Sequence, residues 1–141
     1  MNKDYFIDEL VKEFEQGTLS PDKFHHSEHV KVAWWYLSNY PLLEALTRFV
    51  TGLKSFAKSL GKESLYHETI TWAYILLIND RLNRYKEKLS WDEFAKNNED
   101  LLDRKNNPLE NYYQTNSLKS DLARKTFLWP DKYIKSNQTA K

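Results

Sequence analysis

The chain contains no cysteine, which excludes disulfide bonds and thiolate chemistry. Any bound metal would have to be held by His, Asp, Glu or Tyr side chains. The sequence also lacks an excess of one charge, with 21 Lys plus Arg against 20 Asp plus Glu. Because no global field draws such a protein to nucleic acid or to an anionic membrane, we predict neither as a partner.

Long hydrophobic runs are missing as well. The longest apolar stretch, Trp72 to Ile78, is too short to span a bilayer. Acidic and polar residues stand near the N-terminus, where a signal peptide would be apolar. These features and the lack of cysteine predict a cytoplasmic location. The mild basic excess of residues 111–141 is interpreted as a solvated tail.

The composition that is present suits one soluble domain with an aromatic core. Hydrophobic residues make up 40% of the 141 positions and aromatic residues 15%. We predict a single helical domain over residues 1–131, followed by a frayed C-terminal tail at residues 132–141. No strand-period alternation and no internal repeat competes with this all-α interpretation.

Hydrophobic spacing and capping residues predict a bundle of five to seven helices. The fourth helix, over about residues 66–86, is apolar nearly all round from Ile70 to Ile78, which is typical of a central helix. The other predicted helices cover residues 4–16, Ser27 to Asn39, Pro41 to just before Gly61, Ser90 to about Asp103, a short segment from Asn107-Pro108, and Asn116 or Ser117 to about Phe127.

Two residues at the start of the fourth helix, His67 and Glu68, are the first indication of a site. A histidine and a carboxylate that enter a buried helix need partners, because burying an unpaired polar group costs free energy. The other three histidines, His25, His26 and His29, cluster just before and within the second helix. If the two groups meet in the fold, they form a polar pocket.

The predicted chemistry of this pocket is either acid–base or metal binding. The helix dipole favours a neutral imidazole at His29, which suits a base or a metal ligand. As catalytic residues we predict His29 and His67, with Glu68 orienting them or sharing the proton. As ligands of a divalent transition metal we predict His26, His29, His67 and Glu68, with His25 as an alternative to His26.

Further residues are predicted to bind a ligand. Thr71, Tyr74 and Arg81 share one face of the fourth helix with His67. We expect Thr71 and Tyr74 to line the pocket and Arg81 or Arg124 to hold an anionic group. A surface ion pair is the alternative role for Arg124.

The function predicted from these residues is the binding of a small ligand or divalent metal in a pocket lined by His and Glu. An enzyme is compatible with this pocket, but no reaction is indicated, and the oligomeric state is not predicted. Structural roles for the histidines are the alternative, since H-x-x-H is a short, unspecific pattern. The protein would then be a protein–protein interaction module with exposed Trp and Tyr residues.

Five segments of the chain, among them the histidine cluster at residues 25–29 and the block Tyr66-His67-Glu68-Thr69, together resemble a group of small, uncharacterised, all-helical bacterial proteins. In that group a His-x-x-His pattern opens a helix rich in Ala and Trp, a Tyr-His-Glu-Thr block lies mid-chain, and Ser-x-x-Ala-Arg and Pro-Asp follow. The matching segments here lie within residues 24–131. The resemblance implies no reaction, but it implies that six residues act together: His26, His29, His67, Glu68, Arg81 and Arg124. The segments that carry it are Phe24-His25-His26-Ser27-Glu28-His29-Val30, Ala33-Trp34-Trp35-Tyr36-Leu37, Tyr66-His67-Glu68-Thr69-Ile70-Thr71, Ser120-Asp121-Leu122-Ala123-Arg124 and Pro130-Asp131.

Overall fold

A computed structural model describes the backbone of residues 3–132 and the side chains of residues 6–132. Within these residues the chain is helical and contains no strand, which confirms the predicted all-α bundle. Four short 3-10 helices occupy the connections, at Pro21–Lys23, Glu63–Leu65, Glu99–Leu102 and Pro108–Asn111. The α-helices are α1 (Lys3–Gln16), α2 (His26–Asn39), α3 (Leu42–Ser59), α4 (Glu68–Arg84), α5 (Trp91–Asn97), α6 (Thr115–Leu118) and α7 (Asp121–Lys125).

The centre of the bundle is shared by α2 and α4. Helix α2 packs against α1, α3 and α4, and α4 packs in addition against α3 and α7. Tyr36 on α2 and Ile75 and Ile78 on α4 are almost completely buried at this centre. The apolar run predicted for the fourth helix therefore lies in the core, and α2 contributes as many buried residues to the core as α4.

An aromatic cluster holds the first three helices together. The Phe14 ring of α1 lies 5.3 Å from the Phe24 ring, 6.3 Å from Tyr36 and 6.0 Å from Phe49, measured between ring centroids. The ring also packs on Gly52 of α3, where an added Cβ would lie only 2.2 Å from a Phe14 carbon atom. The cluster fixes Phe24 just before α2 begins.

Two helix starts differ from the predicted ones. Helix α2 begins at His26 with His25 at the N-cap, because the Glu28 carboxylate accepts the His25 backbone N–H at 2.9 Å; Ser27 is not the cap. Helix α4 begins at Glu68, with His67 as its N-cap. Histidine is not among the usual capping residues, so the sequence predicts other residues as the N-caps of these helices.

The C-terminal third is more broken than predicted. Helix α5 stops at Asn97, because the side chain of Asn98 donates to the Phe94 carbonyl at 2.8 Å and a 3-10 helix follows. The predicted seventh helix is divided into α6 and α7, where Ser120 caps α7 by accepting the Ala123 N–H at 3.1 Å.

The C-terminal end of the described chain is tied back to the body of the domain. The N–H groups of Asp131 and Lys132 both donate to the Tyr112 carbonyl, at 3.1 and 3.0 Å. The predicted frayed tail lies outside the described residues, apart from Lys132. No helix in the described part of the chain combines the length and the apolar character needed to cross a membrane.

Candidate functional site

Helices α2, α3 and α4 and the loop of residues 103–107 enclose a pocket of about 550 Å³. A smaller extension of about 70 Å³ continues between the same three helices. Most of the lining side chains are aliphatic or aromatic, and none is Asp or Glu. The lining residues are Phe24, His25, His26, His29, Leu53, Phe56, Ala57, Leu60, Leu65, Tyr66, His67, Ile70, Thr71, Tyr74, Arg104, Asn107, Leu109 and Leu118.

The wall formed by α3 is apolar. Leu53, Phe56, Ala57 and Leu60 recur at three- and four-residue spacing, so one face of the helix presents all of them. The Phe24 ring closes the wall by an edge contact with Phe56, with 4.9 Å between ring centroids. An apolar molecule would replace water against this surface at a gain in free energy.

The polar side of the pocket begins with His29 on α2. Its ring stacks on Phe24 with 4.0 Å between centroids. The pKa of His29 is lowered from 6.5 to about 4, first by burial and then by the nearby His26, against the opposing influence of the Phe24 carbonyl. The ring is therefore neutral at neutral pH, as predicted, although burial rather than the helix dipole is the main cause.

His26 is held in one orientation by the core. Its Nε2 lies 2.9 Å from the Leu101 carbonyl oxygen, so Nε2 carries the hydrogen and donates it. Burial lowers the pKa of His26, which favours the neutral ring. Its Nδ1 then has a lone pair that no described residue occupies. The ring also makes an edge contact with Tyr74, at 5.1 Å between centroids.

Tyr74 and Thr71 line the pocket from α4. The Tyr74 hydroxyl forms no hydrogen bond with another described residue. Its pKa is raised, first by burial and then by the carboxylates of Asp100 and Asp103, so the hydroxyl stays protonated. The Thr71 hydroxyl, in contrast, is engaged, because it donates to the His67 carbonyl at 2.7 Å.

His67 lines the pocket but has both ring nitrogens bonded to backbone. Nδ1 accepts the Ile70 N–H at 3.0 Å as the cap of α4, and Nε2 donates to the Leu118 carbonyl at 2.6 Å. These two bonds fix the neutral tautomer with hydrogen on Nε2. No nitrogen is left for a metal or a substrate, so the geometry favours the structural role over the predicted catalytic one.

Glu68 does not line the pocket. Its Oε1 accepts a hydrogen bond of 2.5 Å from the Tyr66 hydroxyl, and burial followed by this bond raises the pKa of Tyr66. The carboxylate is thus connected to the pocket lining through Tyr66. Among the described residues no hydrogen bond joins Glu68 to His29 or His67, as the predicted sharing of a proton would require.

The predicted metal site is not assembled. Among the residues that the structure describes, no three His, Asp or Glu side chains come together in an arrangement that could hold a metal ion. His26, His29 and His67 share the pocket, but His26 and His67 direct Nε2 at backbone carbonyls, and Glu68 lies behind Tyr66. A metal ion needs three or four free ligands.

Neither predicted anion-binding arginine lines the pocket. Arg81 forms a bidentate ion pair with Asp100, at 2.6 and 2.7 Å, and donates to Asn98 at 3.2 Å. Arg124 donates to the Ser64 carbonyl at 2.7 Å. Helical spacing places Arg81 on the same face of α4 as Tyr74. Arg81 stands at the opposite end of the helix from His67, however, and its side chain is held there by the ion pair with Asp100.

Arg104 lines the pocket although the sequence does not predict it as a site residue. This residue lies on the loop after the third 3-10 helix, close enough to His26 and His29 to lower the pKa of both. The loop is folded by Asp103, whose carboxylate accepts the backbone N–H groups of Lys105 and Asn106 at 3.0 and 3.1 Å. Hydrophobic periodicity carries no signal for such a loop; only the polar run before Pro108 marks it.

No protein-family model, curated protein or solved structure matches this chain. The resemblance described above therefore remains an expectation. The candidate site rests on its own geometry, which groups two neutral histidines, a tyrosine hydroxyl and an arginine opposite an apolar wall.

Proposed function

We propose that the protein binds a small amphipathic molecule in this pocket. The observation that carries the proposal is the division of a 550 Å³ pocket into an apolar α3 wall and a polar side formed by His26, His29 and Tyr74. Small-molecule sites have this size and this character, being mostly apolar with a few polar groups that fix orientation.

The hydrogen-bonding capacity of the polar side indicates the head group. His26 offers an acceptor at Nδ1, and Tyr74 offers a hydroxyl that can donate or accept. An uncharged head group such as a hydroxyl would satisfy both, donating to the histidine and accepting from the tyrosine, whereas an ionised acid would use only the tyrosine as its donor. An alkyl or aryl body would then lie against Phe56 and Leu53 on the opposite side.

Binding, rather than catalysis, is what the geometry supports. With a pKa near 4, His29 is a weak base at neutral pH, and the pocket lining contains no carboxylic acid to pair with it. The cytoplasmic location predicted from the sequence is retained in the proposal, because a chain without cysteine needs no oxidising compartment.

Titration calorimetry with octan-1-ol tests the pocket. We expect saturable binding to the parent protein and its loss in Leu60→Trp, because the indole would occupy the space beside the α3 wall. Leu43→Trp is the matched control: it makes the same change on α3 at a side chain that is 76% exposed and outside the pocket. Equal binding to the parent and to both folded variants would contradict the proposal.

A protein–protein interaction module is the second candidate. A groove of about 240 Å³ on the surface is lined mainly by apolar side chains, among them the exposed Leu76 and Tyr112. Exposed apolar surface of this kind marks interaction sites in other proteins. Sedimentation over a range of protein concentrations tests this candidate; self-association that Leu76→Lys abolishes would favour it over the pocket.

A further inference from the structure

Arg104 differs from the other arginines of the chain. Each of the others is engaged: three form ion pairs and one binds a backbone carbonyl. No carboxylate among residues 6–132 lies within ion-pairing distance of Arg104. The engaged pairs are Arg48–Glu44, Arg81–Asp100, Arg84–Asp80 and Arg124 with the Ser64 carbonyl.

Three carboxylates near the pocket are engaged elsewhere, and a fourth, Glu110, acts on Tyr74 from outside the lining. Asp103 accepts two backbone N–H groups, Asp100 holds Arg81, and Glu28 accepts the backbone N–H of His25 and the Ser27 hydroxyl. No acidic side chain lines the pocket. Arg104 would therefore repel a cationic ligand, and no carboxylate in the lining would offset that repulsion. An anionic ligand, in contrast, would find its counter-charge in Arg104.

Arg104 also lies on the correct side of the pocket to bind a head group. It acts electrostatically on His26 and His29, and the His26 ring contacts Tyr74, so it belongs to the polar part of the lining rather than to the α3 wall. A carboxylate would accept from the guanidinium, and the Tyr74 hydroxyl is a second donor in the lining that has no hydrogen-bond partner among the described residues. The apolar body of the ligand would still lie against the α3 wall.

We propose that the ligand is an organic carboxylate with an apolar body, and that Arg104 binds the carboxylate. This inference rests on the proposed function and names the class of its ligand. Arg104 is exposed at the edge of the pocket, so the interaction is screened by salt, and the preference for an anion should shrink as ionic strength rises.

The test compares three probes with the same chain, octanoate, octan-1-ol and octylamine, by titration calorimetry at low ionic strength. For the parent protein we expect octanoate to bind about tenfold more tightly than octan-1-ol, and octylamine to bind least tightly. Arg104→Gln should remove the advantage of octanoate and leave the affinity for octan-1-ol unchanged. Arg104→Glu should reverse the order, so that octylamine binds more tightly than octanoate.

Lys105→Gln is the matched control. It removes a positive charge from the neighbouring position, which does not line the pocket, and should preserve the preference for octanoate. If octan-1-ol binds but octanoate has no advantage, or if Lys105→Gln acts like Arg104→Gln, the anion inference is wrong and the pocket proposal stands. If none of the three probes binds, both are wrong.

Discussion

The starts of α2 and α4 resemble each other in sequence and differ in how their histidines are bonded. Each helix has a histidine at its N-cap, His25 or His67, followed by a glutamate in the first turn. The His67 ring is bonded to backbone through both nitrogens, whereas the His25 ring is exposed. Histidines with free acceptor capacity stand further along α2, at His26 and His29. The number of backbone partners therefore separates the structural ring from those available to a ligand.

The two helix starts also differ in what they hold in place. Next to His67, the buried Thr69 hydroxyl lies 2.7 Å from the Ala123 carbonyl and 2.8 Å from the Thr126 carbonyl, and it accepts the Leu128 N–H at 2.9 Å. The start of α4 thus attaches the C-terminal segment to the core. The start of α2 makes a comparable contact, from His26 to the Leu101 carbonyl in the 3-10 helix that precedes the loop of Arg104.

The largest expected effect is on stability at the start of α4. His67→Ala should lower the free energy of unfolding by about 2 kcal/mol, because it removes a helix cap worth about 1 kcal/mol and a hydrogen bond worth about as much. Urea denaturation followed by circular dichroism measures the change.

His25→Ala is the control, since it alters the same N-cap position. The backbone bond from residue 25 to Glu28 survives the substitution, and the side chain is 70% exposed, so we expect a loss below about 0.5 kcal/mol. Similar losses for the two variants would remove the distinction between the helix starts.

The next effect is the pH dependence that His29, on α2, gives to the free energy of unfolding. Because its pKa is about 4 in the folded protein and 6.5 ordinarily, the unfolded chain binds more protons between these values. Stability must therefore fall as the pH falls through this window. Between pH 7.5 and 5.5 the contribution of His29 is about 1.3 kcal/mol.

Replacing the ring isolates this contribution from those of other titrating groups. The ligand-free parent should lose about 1.3 kcal/mol more than His29→Leu when both are unfolded in urea at pH 7.5 and at pH 5.5. His26, Glu28 and Arg104 remain in both proteins, so their direct contributions largely cancel. Parallel pH profiles would show that His29 is not desolvated as the structure indicates.

Much of the fold could be predicted because its signals are local. Apolar residues at helical spacing and the Ser90 capping box are properties of short segments, and α1, α3 and α5 start within one residue of the prediction. The errors came from tertiary contacts or unusual caps. His25 and His67 cap helices although histidine is rarely a cap, and the Asn98 side chain ends α5 early.

The site was predictable only in part, for a related reason. Spacing on one helix brought Thr71 and Tyr74 together, and the clustered histidines indicated that α2 would contribute. The sequence could not show that the ring nitrogens of His67 would bond to the backbone of Ile70 and Leu118, since the second contact joins residues far apart in sequence. The position of Arg104 depends on an irregular loop, which no periodicity describes.

The smallest effects separate Arg81, which like Arg124 was predicted from the sequence to hold an anion, from Arg104, which is proposed to bind one. Arg81→Met should lower the free energy of unfolding by about 1 kcal/mol, because Arg81 is bidentate to Asp100 and its side chain is only 25% exposed. It should leave octanoate binding unchanged. Arg104→Gln should change stability by less than about 0.5 kcal/mol, because Arg104 has no ion-pair partner among the described residues, yet it should weaken octanoate binding. Urea denaturation of both variants measures the free energy of unfolding, and titration calorimetry measures octanoate binding. If Arg81→Met weakened octanoate binding while Arg104→Gln did not, the result would favour the sequence-based prediction for Arg81 over the proposal for Arg104.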